Sequence, residues 1–338
     1  MLGGLLALLS AAGFAFETAT ARRGVVTASV VQAMSITVPL GVPIFLLFAS
    51  AFGGLHILAG FSSEAIAYLA AAGVLHFAWG RYCNYRASKA MGANLVAPIQ
   101  QSNMLVTLAL AIWILGEHLT PLRIVGIGLV LLGPALTYDR AHRRPKRGPA
   151  EDRTAAAAAA TGAGKMFRPN YAEGYLFALL SSTGYGISPV LVRLALENKS
   201  LTASLAGGLI SYAAAALAFV LVLLLPGQWR HVRLLDPKAA KWFTISGVCV
   251  SLAQMLRYMA LAIAPVSVVT PIQRLSIIFR FYFSRILNPD HELFGGRILA
   301  ATVVSLLGAL ALSVSAEVMQ ALLPLPDWAK AALNWHWP

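Results

Sequence analysis

Apolar stretches of about 20 residues recur along this chain, and nothing else in it constrains the fold as strongly. At about 1.5 Å per residue, each is long enough to cross a hydrocarbon core roughly 30 Å thick. Of the 338 residues, 58% are hydrophobic and 12% are charged. A soluble domain carries about twice that share of charge. A span in lipid must satisfy its own backbone groups, so helices are the expected form. The alternation of a membrane β-barrel is absent. Ten spans are expected, near 3–21, 25–49, 64–85, 93–115, 120–138, 173–196, 202–225, 241–264, 266–287 and 296–317.

The formal net charge is +13, which in a soluble protein would suggest nucleic acid. No basic fold module is present, so no nucleic-acid partner is expected. The charge instead fits membrane topology and anionic headgroups, with the lipid bilayer as partner. Cys83 and Cys249 fall inside apolar spans and read as packing residues. The apolar N-terminus lacks a basic flank and reads as the first helix rather than a signal peptide.

The chain repeats itself. Ala7-Leu8-Leu9-Ser10 returns as Ala178-Leu179-Leu180-Ser181, and Thr27-Ala28-Ser29 as Thr202-Ala203-Ser204. Tyr85 matches Tyr258, and Pro98-Ile99-Gln100 matches Pro271-Ile272-Gln273. Leu131-Leu132-Gly133 matches Leu306-Leu307-Gly308. These matches divide the chain into a first five-helix repeat (1–138), a basic, Ala-rich linker (139–172), a second repeat (173–318) and a Trp-rich tail (319–338) that anchors at the interface. An odd number of spans per repeat sends the second copy through the membrane in the opposite direction. The expected fold is therefore all-α, ten transmembrane helices as two inverted five-helix repeats. Secondary transporters use this layout, with a site near the midplane between the repeats.

The five-plus-five layout resembles the EamA-type transporters of the drug/metabolite transporter superfamily. So does Leu115-Gly116-Glu117-His118-Leu119-Thr120 leading into Gly126 and Gly133. In the second copy, Leu287-Asn288-Pro289-Asp290-His291-Glu292 stands in place of the Gly-Glu pair. The resemblance implies transport of small metabolites or drugs across a cell membrane, such as a bacterial inner membrane, and leaves the substrate open.

Arg81, Arg257, Arg274 and Arg280 fall within or near the ends of spans. A charge at the bilayer centre costs at least about 2.5–3.5 kcal/mol, so each needs a reason. Arg81 lies close to a helix end and is expected to snorkel to the headgroups. Arg257 and Arg274 flank the same short turn and should lie at one depth, roughly 10–12 Å below a surface. At about 100° per residue, Thr270, Gln273, Arg274, Ser276, Arg280, Ser284 and Arg285 share one half of the ninth helix. A polar face inside a membrane lines a cavity or a partner helix. Gln254, Arg257 and Tyr258 share a face of the eighth helix.

These residues point to a central cavity whose first half contributes amides and whose second half contributes guanidiniums. Gln101 is the first-repeat counterpart of Arg274, and Asn84 that of Arg257. Guanidinium forks suit carboxylate or phosphate. The expected substrate site is Arg257, Arg274 and Arg280 with Gln100, Gln101, Gln254, Gln273, Tyr85 and Tyr258. Internal neutralisation of the arginines is the competing role. Glu17 is a proton-coupling candidate, similar in helix and type to the glutamate of the small multidrug resistance transporters; the competing role is pairing with Arg22 and Arg23. Pro98 and Pro271 mark helix starts, with hinges as the alternative. The stripe Ala301, Ser305, Ala309 and Ser313 serves internal packing, with a homodimer as the second use.

The expected function is secondary transport, by alternating access, of a small polar anionic or zwitterionic metabolite: an amino acid, organic acid or phosphate compound. A lipid-headgroup flippase or binder and a drug exporter are the alternatives. No enzyme is expected, because the chain shows no zinc helix, nucleophile elbow or phosphate loop, and no cofactor or metal is called for. Most of the 26 Lys and Arg residues fall on the side of the central linker, while Arg123, Arg193, Lys199 and Lys330 fall on the other. The positive-inside rule places the linker in the cytoplasm and both termini outside, whereas the family resemblance implies both termini in the cytoplasm.

Overall fold

The computed structural model describes residues 2–115, 120–142, 167, 169–196, 200–263, 269, 272–313 and 326. All regular structure among them is helical. Seven helical stretches are long and apolar enough to cross a membrane: 2–25, 30–51, 93–114, 171–196, 202–223, 237–257 and 296–313. Residues 121–137 form a shorter apolar helix. The chain is a multi-pass, all-α membrane protein. The Gly116–Leu119 motif, most of the linker, Pro271 and the tail lie outside the described residues, apart from Pro326.

α1 (Leu2–Val25) buries a small-residue face of Gly3, Ala7, Ala11 and Ala15. Small side chains let backbones approach closely where lipid gives helices no hydrophobic reason to associate. Its partner is α12 (Pro237–Ile263), which lies along it. Ser10 Oγ donates across this contact to the Ala253 carbonyl at 2.8 Å.

The second span is two helices, α2 (Val30–Thr37) and α3 (Gly41–Ala51). Pro39 lies in the turn between them, where it has no N–H to give and its ring crowds the preceding carbonyls. The third span runs unbroken from α4 (Ser63–Gly73) through a π-helical segment, Val74–Gly80, into α5 (Arg81–Met91). It therefore extends past the expected end at 85 and carries Arg86 and Lys89 as helical residues. π-Helical segments widen a helix locally and recur at functional sites.

The fourth span is broken. α6 (Ala93–Gln100) gives way at Gln101–Ser102 to α7 (Asn103–Leu115). There the chain tightens into three-residue turns, Gln101 N–H to Pro98 O and Ser102 N–H to Ile99 O. Pro98 lies inside α6, not at the helix start expected from sequence, and it lacks the N–H that the Asn94 carbonyl would otherwise accept. The helical stretch ending at Leu287 is also interrupted. Residues 272–274 are helical, Leu275 is a turn residue, and α13 (Ser276–Leu287) follows.

α8 (Pro121–His142) packs along α14 (Gly296–Ser313). Ala301, Ser305 and Ala309 are fully buried. The stripe is spent on internal packing. α9 (Tyr171–Leu196) and α10 (Leu201–Leu223) pack against α4 and its π-helical continuation. There Phe77 stacks on Tyr212 at 3.8 Å between ring centroids. A short helix, α11 (Gln228–Arg233), precedes α12.

Ser29 caps α2 with a reciprocal capping box, and Ser200 caps α10.

Candidate functional site

α1, the π-helical segment, α5, α6, α9, α12, α13 and the two breaks line a polar cavity of about 230 Å³ that is open on one side. Glu17, Gln100, Gln101, Gln254, Arg257, Gln273, Arg274 and Arg280 all line it. The helix breaks present residues to it directly. Gln101 belongs to one break, and Arg274 ends the helical turn before the other. Arg274 Nη1 donates to Gln101 Oε1 at 3.4 Å, and its Nη2 reaches the Met104 sulfur at 2.9 Å. Arg280 Nη1 donates to Gln100 Oε1 at 3.3 Å, while Gln100 Nε2 donates to Asn84 Oδ1 at 2.8 Å. Gln273 Nε2 donates to Ser10 Oγ at 3.2 Å. Gln101 and Gln100 of the first half thus hold Arg274 and Arg280 of the second. The Nε–H groups of Arg257, Arg274 and Arg280 are buried and meet no acceptor among the described residues. The Tyr258 side chain and Thr270 lie outside the described residues. Arg285, at the edge of the polar arc, is exposed and lies over the Phe294 ring at 5.4 Å.

Glu17 is buried and accepts hydroxyl hydrogens from Tyr85 at 3.1 Å, Thr18 at 3.1 Å and Ser246 at 3.4 Å. Arg81 and Arg280 are its charged neighbours. It does not pair with Arg22 or Arg23. Tyr85 stands behind the cavity wall and reaches it through Glu17.

Arg81 departs from expectation. It is 4% exposed and does not snorkel. Its Nη1 donates to the Thr37 carbonyl at 2.9 Å and its Nη2 to Tyr212 Oη at 3.3 Å. The break in the second span frees carbonyls of α2 for such a donor, and the Phe77 and Tyr212 rings face the guanidinium at 5.3 and 5.8 Å. Local sequence placed Arg81 near a helix end, but the π-helical continuation carries the helix on for ten more residues.

His76, Asn103 and Tyr185 also line the cavity and were not singled out from sequence. Each is a polar residue within an apolar stretch, which is the signal that could have found them. The His76 and Tyr185 rings lie 4.6 Å apart.

One end of the bundle is tied by a buried ion pair. Arg22 Nε donates to Glu292 Oε1, and Arg22 Nη1 and Nη2 donate to the carbonyls of Lys89 and His291 at 3.2 and 2.6 Å. Glu292 also accepts the N–H groups of Ala93 at 2.6 Å and Asn94 at 3.0 Å, at the start of α6. A helix N-terminus offers such donors to a carboxylate. Gly92 permits this approach: its φ is 90°, and a Cβ there would meet the carboxylate. Burial, then the charges of Arg22 and Arg23, holds the His291 imidazole below its ordinary pKa. The α13–α14 loop thus carries a structural carboxylate. Among the described residues no cluster of His, Cys, Asp or Glu can hold a metal ion.

Residues 1–138 match the EamA-like transporter family. No curated protein matches the chain. A solved structure described only as the crystal structure of a protein is similar at 15% identity, with a TM-score of 0.52. The alignment covers 94% of this chain and 99% of that one, and at such identity the likeness concerns the fold alone.

Proposed function

From the EamA-like transporter match and the cavity, we propose that this membrane protein is a secondary transporter of the drug/metabolite transporter superfamily. It moves a small anionic or zwitterionic metabolite by alternating access. Its ten spans form two inverted five-helix repeats, 1–138 and 173–318, joined by the 139–172 linker. The spans beyond the seven long apolar helices are 63–91, 121–142 and the stretch ending at Leu287.

One observation carries this reading. Gln101 and Arg274 are counterparts, 173 residues apart, and they are hydrogen-bonded to each other. In inverted repeats, counterparts sit at equal and opposite depths about an axis in the membrane plane. Counterparts that touch must lie close to that axis, and so near the midplane. Broken helices that meet there are how transporters of this architecture build substrate sites. The guanidiniums set the sign of the substrate, and Glu17 is the group placed to carry a coupled proton.

The test is uptake into proteoliposomes of a labelled panel of amino acids, organic acids and phosphate esters, by the native protein and Arg274→Gln. Arg274→Gln should lose uptake of the anionic substrate. Undiminished uptake would remove Arg274 from the site and the sign argument with it.

A further inference from the structure

The cavity's charges can be counted, and the count narrows the substrate class. Arg81, Arg257, Arg274 and Arg280 line the cavity together with one carboxylate, Glu17. A guanidinium stays protonated in a protein, so all four count as positive. Arg81 is the first of the charges acting on Glu17, and its hydrogens go to Thr37 and Tyr212. Glu17 also acts on Arg280, so one carboxylate against four guanidiniums leaves three positive charges in excess across Arg257, Arg274 and Arg280. The acceptors that reach Arg274 and Arg280 are two amides and a thioether, which are neutral. All three retain a buried Nε–H that meets no acceptor among the described residues.

Buried charge without counter-charge is costly, and the cost falls when a ligand supplies the opposite sign. A zwitterion supplies none in net. It would also bring an ammonium among guanidiniums, where the one carboxylate already accepts hydrogens from Tyr85, Thr18 and Ser246. A monoanion opposes one charge of three. A dianion opposes two, and each guanidinium presents the fork that carboxylate and phosphoryl oxygens accept. The cavity, about 230 Å³, has room for a small ligand among these groups. Gln254 and Asn103 in the same wall suit hydroxyl or carbonyl groups on its body.

Resting on the transporter reading above, we infer that the site takes a small organic dianion, a dicarboxylate or a phosphate monoester. The three guanidiniums of the second half recognise its two charges, and Gln101 and Gln100 hold two of them, Arg274 and Arg280, in place.

The experiment compares ligands of nearly constant shape and different charge on the purified full-length protein. Succinate is set against its monoamide, glycerol 3-phosphate against its methyl ester, and alanine and lactate serve as zwitterion and monoanion. Affinity is read by thermal stabilisation and calorimetry. At least one dianion should bind, at least about tenfold more tightly than its monoanionic partner. The two pairs separate carboxylate from phosphoryl recognition. A monoanion or zwitterion that binds as tightly as its dianionic partner, and is lost in Arg274→Gln, overturns the dianion and leaves the transporter site standing. Binding by none of the ligands, or binding unchanged in both Arg257→Gln and Arg274→Gln, overturns the cavity as the substrate site and the dianion with it.

Discussion

Arg22 and Glu292 are 270 residues apart in the chain and form an ion pair at 3.1 Å with both side chains buried. The pair joins the end of α1 to the α13–α14 loop, and through the Ala93 and Asn94 amides to the start of α6. Arg22 follows Glu17 by five residues, about 7.5 Å along α1. The tie therefore lies close beyond the end of the cavity that Glu17 lines.

Removing one partner leaves the other charge buried and unopposed. Glu292→Gln should lower stability by about 3–5 kcal/mol. Arg22→Met should cost a similar amount. The double substitution should cost clearly less than the sum, because the second change removes the stranded charge. Thermal unfolding of the purified protein in detergent measures all three. Additive costs would show that the two groups do not interact.

Glu17 is the carboxylate among the cavity arginines, and its hydroxyl donors can serve either protonation state. In Glu17→Gln, uptake should lose its response to an imposed pH gradient while ligand binding remains. Proteoliposome uptake with and without the gradient reads this. Gradient-driven stimulation equal to that of the native protein would exclude Glu17 from coupling.

The closeness of α4 to α10 makes a sharp packing prediction. A Cβ on Gly73 would meet the Ser211 backbone carbonyl, which cannot rotate aside, whereas a Cβ on Gly128 meets nothing within 4 Å. Gly73→Ala should cost about 1–3 kcal/mol or more. Gly128→Ala should be neutral or stabilising, since Ala favours a helix over Gly by up to about 1 kcal/mol. Melting temperatures of the two variants should move in different directions, and a Gly73→Ala protein as stable as the native one would contradict the close contact.

If the ten-span layout holds, Arg22, Arg23, Arg86, Lys89 and the linker cations share one side, and the positive-inside rule then predicts that side to be the cytoplasm. Fusions at the C-terminus should give an active periplasmic phosphatase and a dark fluorescent protein, and fusions within the linker the reverse. The opposite pattern would invert the topology.

Much of the architecture was legible before any coordinates. Apolar stretches of spanning length admit few folds, because lipid forbids an unsatisfied backbone. The polar arc of the ninth span also announced itself, and Gln273, Arg274, Ser276 and Arg280 do line the cavity. Helix periodicity is local, so a face can be computed from spacing alone. The same reasoning stopped at the edge of the arc: Arg285 shares its half-turn but lies exposed.

What local spacing could not supply was partnership. Arg81 looked free to snorkel, yet Thr37 and Tyr212 hold it inside. Arg22 looked like a partner for Glu17, five residues before it, yet it faces away and takes Glu292. Glu17 instead meets Tyr85 and Ser246 from distant helices. By itself, then, the sequence determined which segments are helical spans and which of their faces are polar, because both depend on residues within a few turns of one another. Only the tertiary structure decided which charge meets which. That choice turns on distances between helices far apart in the chain, and on where the turns at Pro39 and at Gln101–Ser102 break them, and a buried charge settles with whatever group those distances bring within reach.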